Sequence, residues 1–223
     1  MCGRFTLTVT LEQLLMFYDT DYSTVRFHLP RYNIAPGQMV AAVVHDGEKC
    51  RIGELQWGLL PAWAKEPKGK RVINARAETV TEKPMFKNLI RAKRCVIPAS
   101  GFYEWKTNPN GKQPMHIRLK SGEVFSMAGL YDTWIAPNGE KINTCVIITT
   151  RANRLLEPIH HRMPVILGKE EEAVWLDRNN QNVSELITLL DPYSPERMEA
   201  YPVSDRVGNV QNDDPELVKP ISR

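Results

Sequence analysis

A chain of 223 residues with 42% hydrophobic and 25% charged residues has the composition of a water-soluble globular protein and can bury one substantial core. Its formal net charge of +3 is too small to establish nucleic-acid binding by itself, and no apolar run approaches the length needed to cross a membrane. The N-terminal residues lack the apolar stretch of a secretion signal, which predicts a cytoplasmic protein.

Two short helices are predicted in the first hundred residues, each with its apolar side chains on one face. Thr10 is placed to cap the first helix, and Pro84 suits the first turn of the second. The inward-facing positions are Leu11, Leu14, Leu15 and Tyr18 in the first helix and Phe86, Leu89 and Ile90 in the second.

Short runs with strand character occupy most of the remaining chain, and residues 31–37 indicate a turn leading into the first of them. Turns rich in Gly, Asn and Pro separate the runs in the middle of the chain, including residues 108–111, 121–122 and 137–139. Tight turns of this kind predict antiparallel pairing of adjacent strands. The predicted strands cover residues 39–44, 53–60, 95–105, 115–119, 124–134, 143–150 and 163–167.

Two further helices are predicted, over residues 169–176 and 183–190. No repeat, low-complexity tract or linker divides the chain. We therefore expect an α+β protein with a single domain over residues 1–223, built on a curved antiparallel sheet with helices around it.

The four cysteines are widely spaced and form no C-x-x-C pair, which argues against a zinc cluster and a disulfide framework. Cys95 and Cys145 lie in apolar runs and are predicted core residues. Cys2 differs because removal of Met1 would leave it with a free α-amine beside its thiol. Such an aminothiol attacks an aldehyde through nitrogen and then closes a thiazolidine ring through sulfur.

The α-amine of a terminal residue is suited to this reaction. At a pKa of about 7.7, roughly 15% of it is neutral at pH 7, against about 0.04% of a lysine amine with a pKa near 10.4. The alternative is that Cys2 is only a small residue at a frayed end of the chain.

Three polar residues are candidates for acid–base and hydrogen-bonding roles. Asn74 is predicted to share one face of an extended segment with Arg76 and Glu78. Glu104 stands between two aromatic residues in a strand, where partial desolvation would raise its pKa towards that of a general acid or base. His160 has the pKa range of a proton shuttle. Each residue type is also common as an ordinary surface or core group.

Features suited to a polyanion also occur. Arg4 places a phosphate-binding guanidinium close to Cys2, and Trp63 lies beside a stretch of basic residues, whereas Trp57 reads as core. His160 and His161 are adjacent and are expected to point in different directions, so they are not expected to be ligands of one metal. The sequence indicates no metal and no organic cofactor. The basic stretch runs from Lys65 to Arg94 and includes Lys68, Lys70, Arg71, Arg76, Lys87, Arg91 and Lys93.

Seven motifs, in order through nearly the whole chain, resemble the SRAP (SOS response-associated peptidase) family of abasic-site DNA–protein crosslinking proteins. The motifs occupy residues 1–5, 31–37, 57–61, 73–79, 101–105, 159–164 and 203–209. The resemblance implies a β-barrel-like core with peripheral helices and a positively charged channel for single-stranded DNA. It also implies that the mature N-terminal cysteine forms a thiazolidine with the ring-opened deoxyribose.

Site residues follow from the resemblance by position. It implies catalytic roles for Cys2, Asn74, Glu104 and His160. It implies DNA contacts for Arg4, Pro36, Trp63 and Arg76, with Pro36 and Trp63 wedging bases apart, and it assigns nothing to His161. The implied partner is single-stranded DNA with abasic sites at stalled replication forks. The protein is expected to be a monomer that binds no membrane and is associated with the nucleoid when bound to DNA. Autocatalytic loss of Met1 and weak lyase activity at abasic sites are implied as well.

Two other classes remain open on the residues alone. N-terminal nucleophile amidohydrolases and glutamine amidotransferases also begin with Cys-Gly and use the terminal amine as a base. Those enzymes cleave amides and do not need the basic, tryptophan-containing middle of the chain. A non-covalent single-strand binding module, in which Cys2 is incidental, is the other alternative.

Overall fold

The computed structural model describes residues 2–27, 29–66, 71–109 and 111–221, which form two β-sheets with short helices around them. The strands are β1 (Phe5–Leu7), β2 (Arg31–Ile34), β3 (Met39–His45), β4 (Cys50–Trp57), β5 (Asn74–Arg76), β6 (Arg94–Ala99), β7 (Gly101–Asn108), β8 (Gly111–Leu119), β9 (Phe125–Ile135), β10 (Lys141–Arg151), β11 (Arg162–Pro164), β12 (Ile166–Leu167) and β13 (Met198–Pro202). The α-helices are α1 (Leu11–Phe17), α2 (Leu89–Ala92), α3 (Lys169–Leu176) and α4 (Val183–Thr188). Short 3-10 turns lie at Ala77–Thr79, Pro195–Arg197, Asp205–Gly208 and Pro215–Val218.

The larger sheet closes on itself into a five-stranded barrel. Antiparallel pairings join β4 to β3, β3 to β6, β6 to β9 and β9 to β10. A parallel pairing of β10 with β4, through Cys145 opposite Trp57, completes the ring. β5, β11 and β12 extend this sheet from β10 and β9. The barrel-like core predicted from the sequence is confirmed, although one of its seams is parallel.

The second sheet holds the N-terminal segment and has the strand order β13-β8-β7-β1-β2. β1 lies between β7 and β2, with Phe5 opposite both Phe102 and Ile34. The chain passes from the barrel to this sheet at Ser100, between β6 and β7, and returns through the turn between β8 and β9. The two sheets share one core, in which the Phe5 and Trp57 rings meet edge to face with centroids 5.3 Å apart.

Several predicted elements are confirmed. The Thr10 side chain caps α1 in a reciprocal capping box with Gln13, and α3 has the predicted bounds. The hairpins β7–β8 and β9–β10 pair antiparallel as expected. Phe86, Leu89 and Ile90 are buried, Cys95 and Cys145 are core residues, and Trp57 is fully buried.

Other predicted elements are wrong. Residues 31–34 form β2, so only Pro36 and Gly37 make the turn. The single strand predicted over residues 95–105 is two strands in different sheets, because the chain changes sheets at Ser100. The turn at residues 121–122 likewise joins strands that do not pair with each other. Helix α2 begins only at Leu89, since residues 80–88 form successive turns after Ala77–Thr79. Asn110, in the turn predicted over 108–111, lies outside the described residues.

No helix within the described ranges combines the length and apolar character needed to cross a membrane.

Gly101, at the crossing between the sheets, has no room for a side chain. A Cβ there would overlap the His116 imidazole and lie 2.9 Å from the Ile117 carbonyl oxygen, which belongs to the paired strand. Gly101→Ala should therefore lower the free energy of unfolding by about 1–3 kcal/mol. Urea unfolding checks this, with Gly208→Ala as the control because open space surrounds Gly208. Equal stability of wild type and Gly101→Ala would contradict the close packing described here.

Candidate active site

Cys2 is held in the interior at the start of the N-terminal segment. The Tyr103 backbone N–H donates a hydrogen bond to the Arg4 carbonyl at 2.9 Å, which extends the β1–β7 pairing towards the chain terminus. The Asn74 side-chain amide donates to the Cys2 carbonyl at 2.9 Å. Cys2 is 0% exposed, and burial, with the nearby charge of Glu104, raises the pKa of its thiol. Met1 itself lies outside the described residues.

Glu104 is the buried carboxylate of the site. It is 3% exposed on β7, one residue beyond Tyr103, whose backbone pairs with Arg4. Burial raises the pKa of Glu104, and the positive charge of the chain's amino terminus opposes that rise. The partial desolvation expected from its aromatic neighbours is confirmed and is more complete than the sequence indicated.

His160 faces Glu104 from the loop between β10 and β11. Its Nδ1 lies 3.9 Å from Glu104 Oε1 and 3.0 Å from the Arg162 backbone nitrogen, which donates to it. Burial lowers the pKa of His160, so the ring is neutral near pH 7. Nδ1 also lies 3.2 Å from the Arg162 carbonyl oxygen, so the backbone of Arg162 holds the ring in place.

The neighbouring histidine does not point away from His160 as predicted. The His160 and His161 rings are stacked, with centroids 4.4 Å apart and an angle of 27° between their planes. His161 is exposed, so it forms the outer layer of the pair. No group of three or more His, Cys, Asp or Glu side chains within the described residues is placed to hold a metal ion.

Asn74 links Cys2 to the surface groove. It begins β5, which pairs in parallel with β10 opposite Ile147. Its Nδ2 donates to Cys2, while its Oδ1 is buried without a hydrogen-bond partner in the described part of the chain. An unpaired buried acceptor is costly, so this oxygen is suited to receive a hydrogen bond from a ligand.

An ion pair that sequence reasoning missed supports this region. Arg162 is buried and donates two hydrogen bonds to the Glu78 carboxylate, at 2.6 and 2.9 Å, and others to Thr149. Glu78 does not share a face with Asn74 and Arg76, because the chain leaves β5 and enters the 3-10 turn at Ala77–Thr79. The pair joins this turn to β11 and so fixes the loop that carries His160. The only sequence signal was the opposite charge of the two residues within the recognised motifs.

An open groove of about 670 Å³ lies beside Asn74. It contains Arg76, which is exposed, and Trp63, whose side chain is 65% exposed, so the predicted distinction between Trp63 and buried Trp57 is confirmed. Lys83 supplies a second cation that the sequence analysis did not assign. The groove is lined by Trp63, Val72, Asn74, Arg76, Lys83, Pro84, Met85 and Phe86.

Arg4 and Pro36 lie outside the lining of this groove. The Arg4 guanidinium donates from Nη1 to the Asn33 side chain and to the Val207 carbonyl, both at 2.8 Å, and lies 6.0 Å from the Trp105 ring centroid. Pro36 is exposed at the tip of the turn between β2 and β3. Arg4 is thus anchored by the protein on one side, and Pro36 presents its ring to solvent.

The basic stretch predicted from the sequence is only partly available as an exposed, unpaired cationic surface. Arg94 is buried and donates to backbone carbonyls, among them that of Trp175 at 2.6 Å. Lys93 is paired with buried Asp132 at 2.6 Å. Lys68 and Lys70 lie outside the described residues.

A separate hollow of about 420 Å³ lies beside the start of α3 and contains none of the predicted site residues. Glu104, His160 and Cys2 all lie elsewhere, so Cys2 with the adjoining groove is the candidate active site.

Known proteins resemble this chain in sequence and in fold. The family model described as SOS response associated peptidase (SRAP) matches residues 1–210. Abasic site processing protein YoqW of Bacillus subtilis (strain 168) is 47% identical over 223 residues, covering 98% of this chain and 99% of that protein. Abasic site processing protein YedK of Escherichia coli (strain K12) is 32% identical, covering 99% of this chain and 100% of that protein.

A solved structure has the same fold. The X-ray crystal structure of a protein from Bacteroides thetaiotaomicron matches with a TM-score of 0.91 at 31% identity, over 99% of this chain and 100% of that chain.

The raised pKa of Glu104 predicts a pH dependence of stability. A carboxyl whose pKa is higher in the folded state stabilises the fold while protonated, and this stabilisation is lost as the pH rises above its usual value of about 4.3. Between pH 4 and 7 the free energy of unfolding should therefore fall for the wild type relative to Glu104→Gln. Urea titrations of both proteins measure the difference, with Glu140→Gln as an exposed control. A constant offset between wild type and Glu104→Gln across this range would contradict the burial of a titrating carboxyl.

Proposed function

Because this chain belongs to the SOS response associated peptidase (SRAP) family, we propose that it processes abasic sites in single-stranded DNA by forming a covalent bond through Cys2. Relatives that match it over nearly their whole length are named abasic site processing proteins. The observation that carries the proposal is the convergence of Cys2, Asn74, Glu104 and His160 beside a groove containing Arg76 and Trp63.

Maturation begins with the loss of Met1. While Met1 is attached, the nitrogen of Cys2 is an amide and cannot attack an aldehyde. Removal of Met1 converts that nitrogen to an α-amine. Glu104, whose pKa is raised by burial, then lies where it accepts a proton from the new ammonium group.

The reaction joins protein and DNA with the loss of one water. His160 takes the proton of the anomeric hydroxyl and delivers a proton to the ring oxygen as the C1–O bond breaks, so that the closed abasic deoxyribose opens to the aldehyde. The neutral Cys2 amine adds to the aldehyde carbon, and the hydroxyl leaves as water with a proton delivered by Glu104, giving a Schiff base. The Cys2 thiol then adds to the same carbon while its proton passes to the nitrogen, and the thiazolidine ring is complete.

Positioning makes the ring closure efficient. Asn74 fixes the Cys2 backbone through Nδ2 and offers its free Oδ1 to a sugar hydroxyl. Holding the amine, thiol and aldehyde together gives the second step a large effective concentration. Arg4 and Arg76 bind phosphates, and the ring of Trp63 stacks against a base displaced next to the lesion. Pro36 wedges between bases on the other side.

Finer aspects belong to the same proposal. The protein acts as a monomer on abasic sites at stalled replication forks. The Schiff base allows weak strand cleavage by β-elimination before sulfur traps it. Removal of Met1 is autocatalytic, which is a limited form of the amide cleavage carried out by N-terminal nucleophile hydrolases.

Cys2→Ala should abolish the adduct while leaving weak nicking, because an α-amine remains but the trapping sulfur is gone. The protein is incubated with a single-stranded oligonucleotide treated with uracil-DNA glycosylase and run on a denaturing gel. Cys50→Ala is the matched control, since Cys50 is a half-buried cysteine on β4, away from the site. A heat-stable band from Cys2→Ala would exclude Cys2 as the nucleophile, and loss of the band in Cys50→Ala as well would show that the effect is not specific to Cys2.

The requirement for a free terminus can be tested separately. A fusion partner is placed before Cys2, with a protease site whose cleavage leaves Cys2 as the first residue. The uncleaved fusion should form no adduct and the cleaved protein should form it, with an intact mass equal to the sum of both partners minus one water. Adduct formation by the uncleaved fusion would overturn the amine-first mechanism.

Glu104→Gln should slow crosslinking by about 100-fold or more while changing DNA affinity by less than about threefold, because it removes proton transfer but no phosphate contact. Single-turnover crosslinking rates and fluorescence anisotropy with undamaged DNA measure the two quantities. Equal losses in both would assign Glu104 a structural role.

A further inference from the structure

The turn that presents Pro36 is braced by two glutamine side chains. Gln38 Oε1 accepts hydrogen bonds from the Ala35 backbone, at 3.1 Å, and from the Arg31 guanidinium. On the other side, Gln56 Nε2 donates to the Gly37 carbonyl at 2.9 Å. The position of the Pro36 ring therefore depends on the side-chain amides of Gln38 and Gln56. A neighbouring arginine orients each of these amides.

Arg71 is the arginine that orients Gln56. Its Nη1 donates to Gln56 Oε1, so the amide must turn its Nε2 towards Gly37. The aliphatic part of Arg71 packs on Gly58, where an added Cβ would lie 3.1 Å from Arg71 Cβ. Gly58 also has a φ of +133°, which favours glycine. The absence of a side chain at Gly58 thus leaves the space in which the Arg71 side chain packs.

The two bracing arginines differ in charge balance. Arg31 Nε lies 3.8 Å from the Asp213 carboxylate, which offsets its charge. Arg71 has no carboxylate partner within 4.0 Å among the described residues. A fixed guanidinium with an uncompensated charge is suited to a phosphodiester.

Arg71 lies on the face of its segment opposite the groove. Val72, Asn74 and Arg76 line the groove, and alternate residues of an extended segment point to opposite faces. Arg71 points away from the groove, towards Gln56 and the Pro36 turn. A DNA strand that crosses residues 71–76 would meet Arg76 on one side and Arg71 on the other.

We propose that Arg71 binds a backbone phosphate of the DNA and, through Gln56, fixes the position at which Pro36 separates the bases. The inference rests on the proposed function for the presence of DNA, but it assigns a contact and a positioning role that the seven recognised motifs do not contain. Phosphate binding and base separation are thereby coupled through one side-chain amide.

The phosphate contact is tested by the salt dependence of binding to undamaged single-stranded DNA. Arg71→Gln should weaken binding about tenfold at low salt and reduce the slope of log affinity against log salt by about 0.7, the value for one phosphate on a single strand. Arg71→Lys should retain the slope. Lys120→Gln removes the same charge from the β8–β9 turn and should change neither quantity. An unchanged slope in Arg71→Gln overturns the contact.

The positioning role is tested with 2-aminopurine placed next to the abasic site, whose fluorescence rises when the base loses its stacking. At saturating DNA, Pro36→Ala should reduce the increase in 2-aminopurine fluorescence. Gln56→Ala and Arg71→Lys should reduce it by the same amount, although both variants keep a positive charge at position 71. A full signal in Gln56→Ala overturns the positioning role. All variants are compared with wild type for thermal midpoint, so that misfolding is detected.

The outcomes separate this inference from the proposed function. If wild-type protein forms no adduct while Arg71→Gln still reduces the salt slope, the covalent function fails and the phosphate contact stands. If the adduct forms at saturating DNA in every Arg71 variant and the slope never changes, the function stands and the inference fails. Loss of the adduct at saturating DNA in Arg71→Lys would make Arg71 part of the reaction centre and overturn its assignment as a positioning residue.

Discussion

The pairing of β1 with β7 is the constraint on which the site depends. Phe5 lies opposite Phe102, and the Tyr103 N–H binds the Arg4 carbonyl, so the chain's first residues run alongside Glu104. A terminal residue normally frays, because few contacts oppose its conformational entropy. Here a strand of three residues, fixed between two neighbours, holds a terminus against a buried carboxylate. The chemistry is therefore a property of sheet register as much as of residue type.

Burial acts on the three ionisable groups of the site in one direction. It raises the pKa values of Cys2 and Glu104 and lowers that of His160, so all three are shifted towards their neutral forms. Charged residues instead line the groove outside, where Arg76 and Lys83 meet solvent. Neutral reacting groups suit the proton transfers of imine formation, and exposed cations suit a phosphate backbone. The three candidate reacting groups are therefore buried and shifted towards neutrality, whereas the cations of the groove are exposed.

Sequence reasoning was most successful where the signal is local. Helix α3 and the hairpin β9–β10 follow from capping, alternation and turn residues. Strand β2 was mistaken for a turn because a strand this short is stabilised by distant partners. Residue chemistry and family resemblance named the candidate side chains of the site, but not the contacts that support them. Arg162 and Glu78 are separated by 84 residues in the sequence. The local sequence around either residue does not indicate that the two will be neighbours in the fold.

The bracing of Arg4 has a consequence for biosynthesis. Its guanidinium is held by the carbonyl of Val207, 203 residues later in the chain, and by Asn33, whose own amide donates to carbonyls of Asn209 and Asn212. A nascent chain that lacks residues 207–212 contains Arg4 but not the contacts that fix its guanidinium. These early residues therefore acquire their folded geometry only after Val207 and Asn212 have been synthesised and have packed against them.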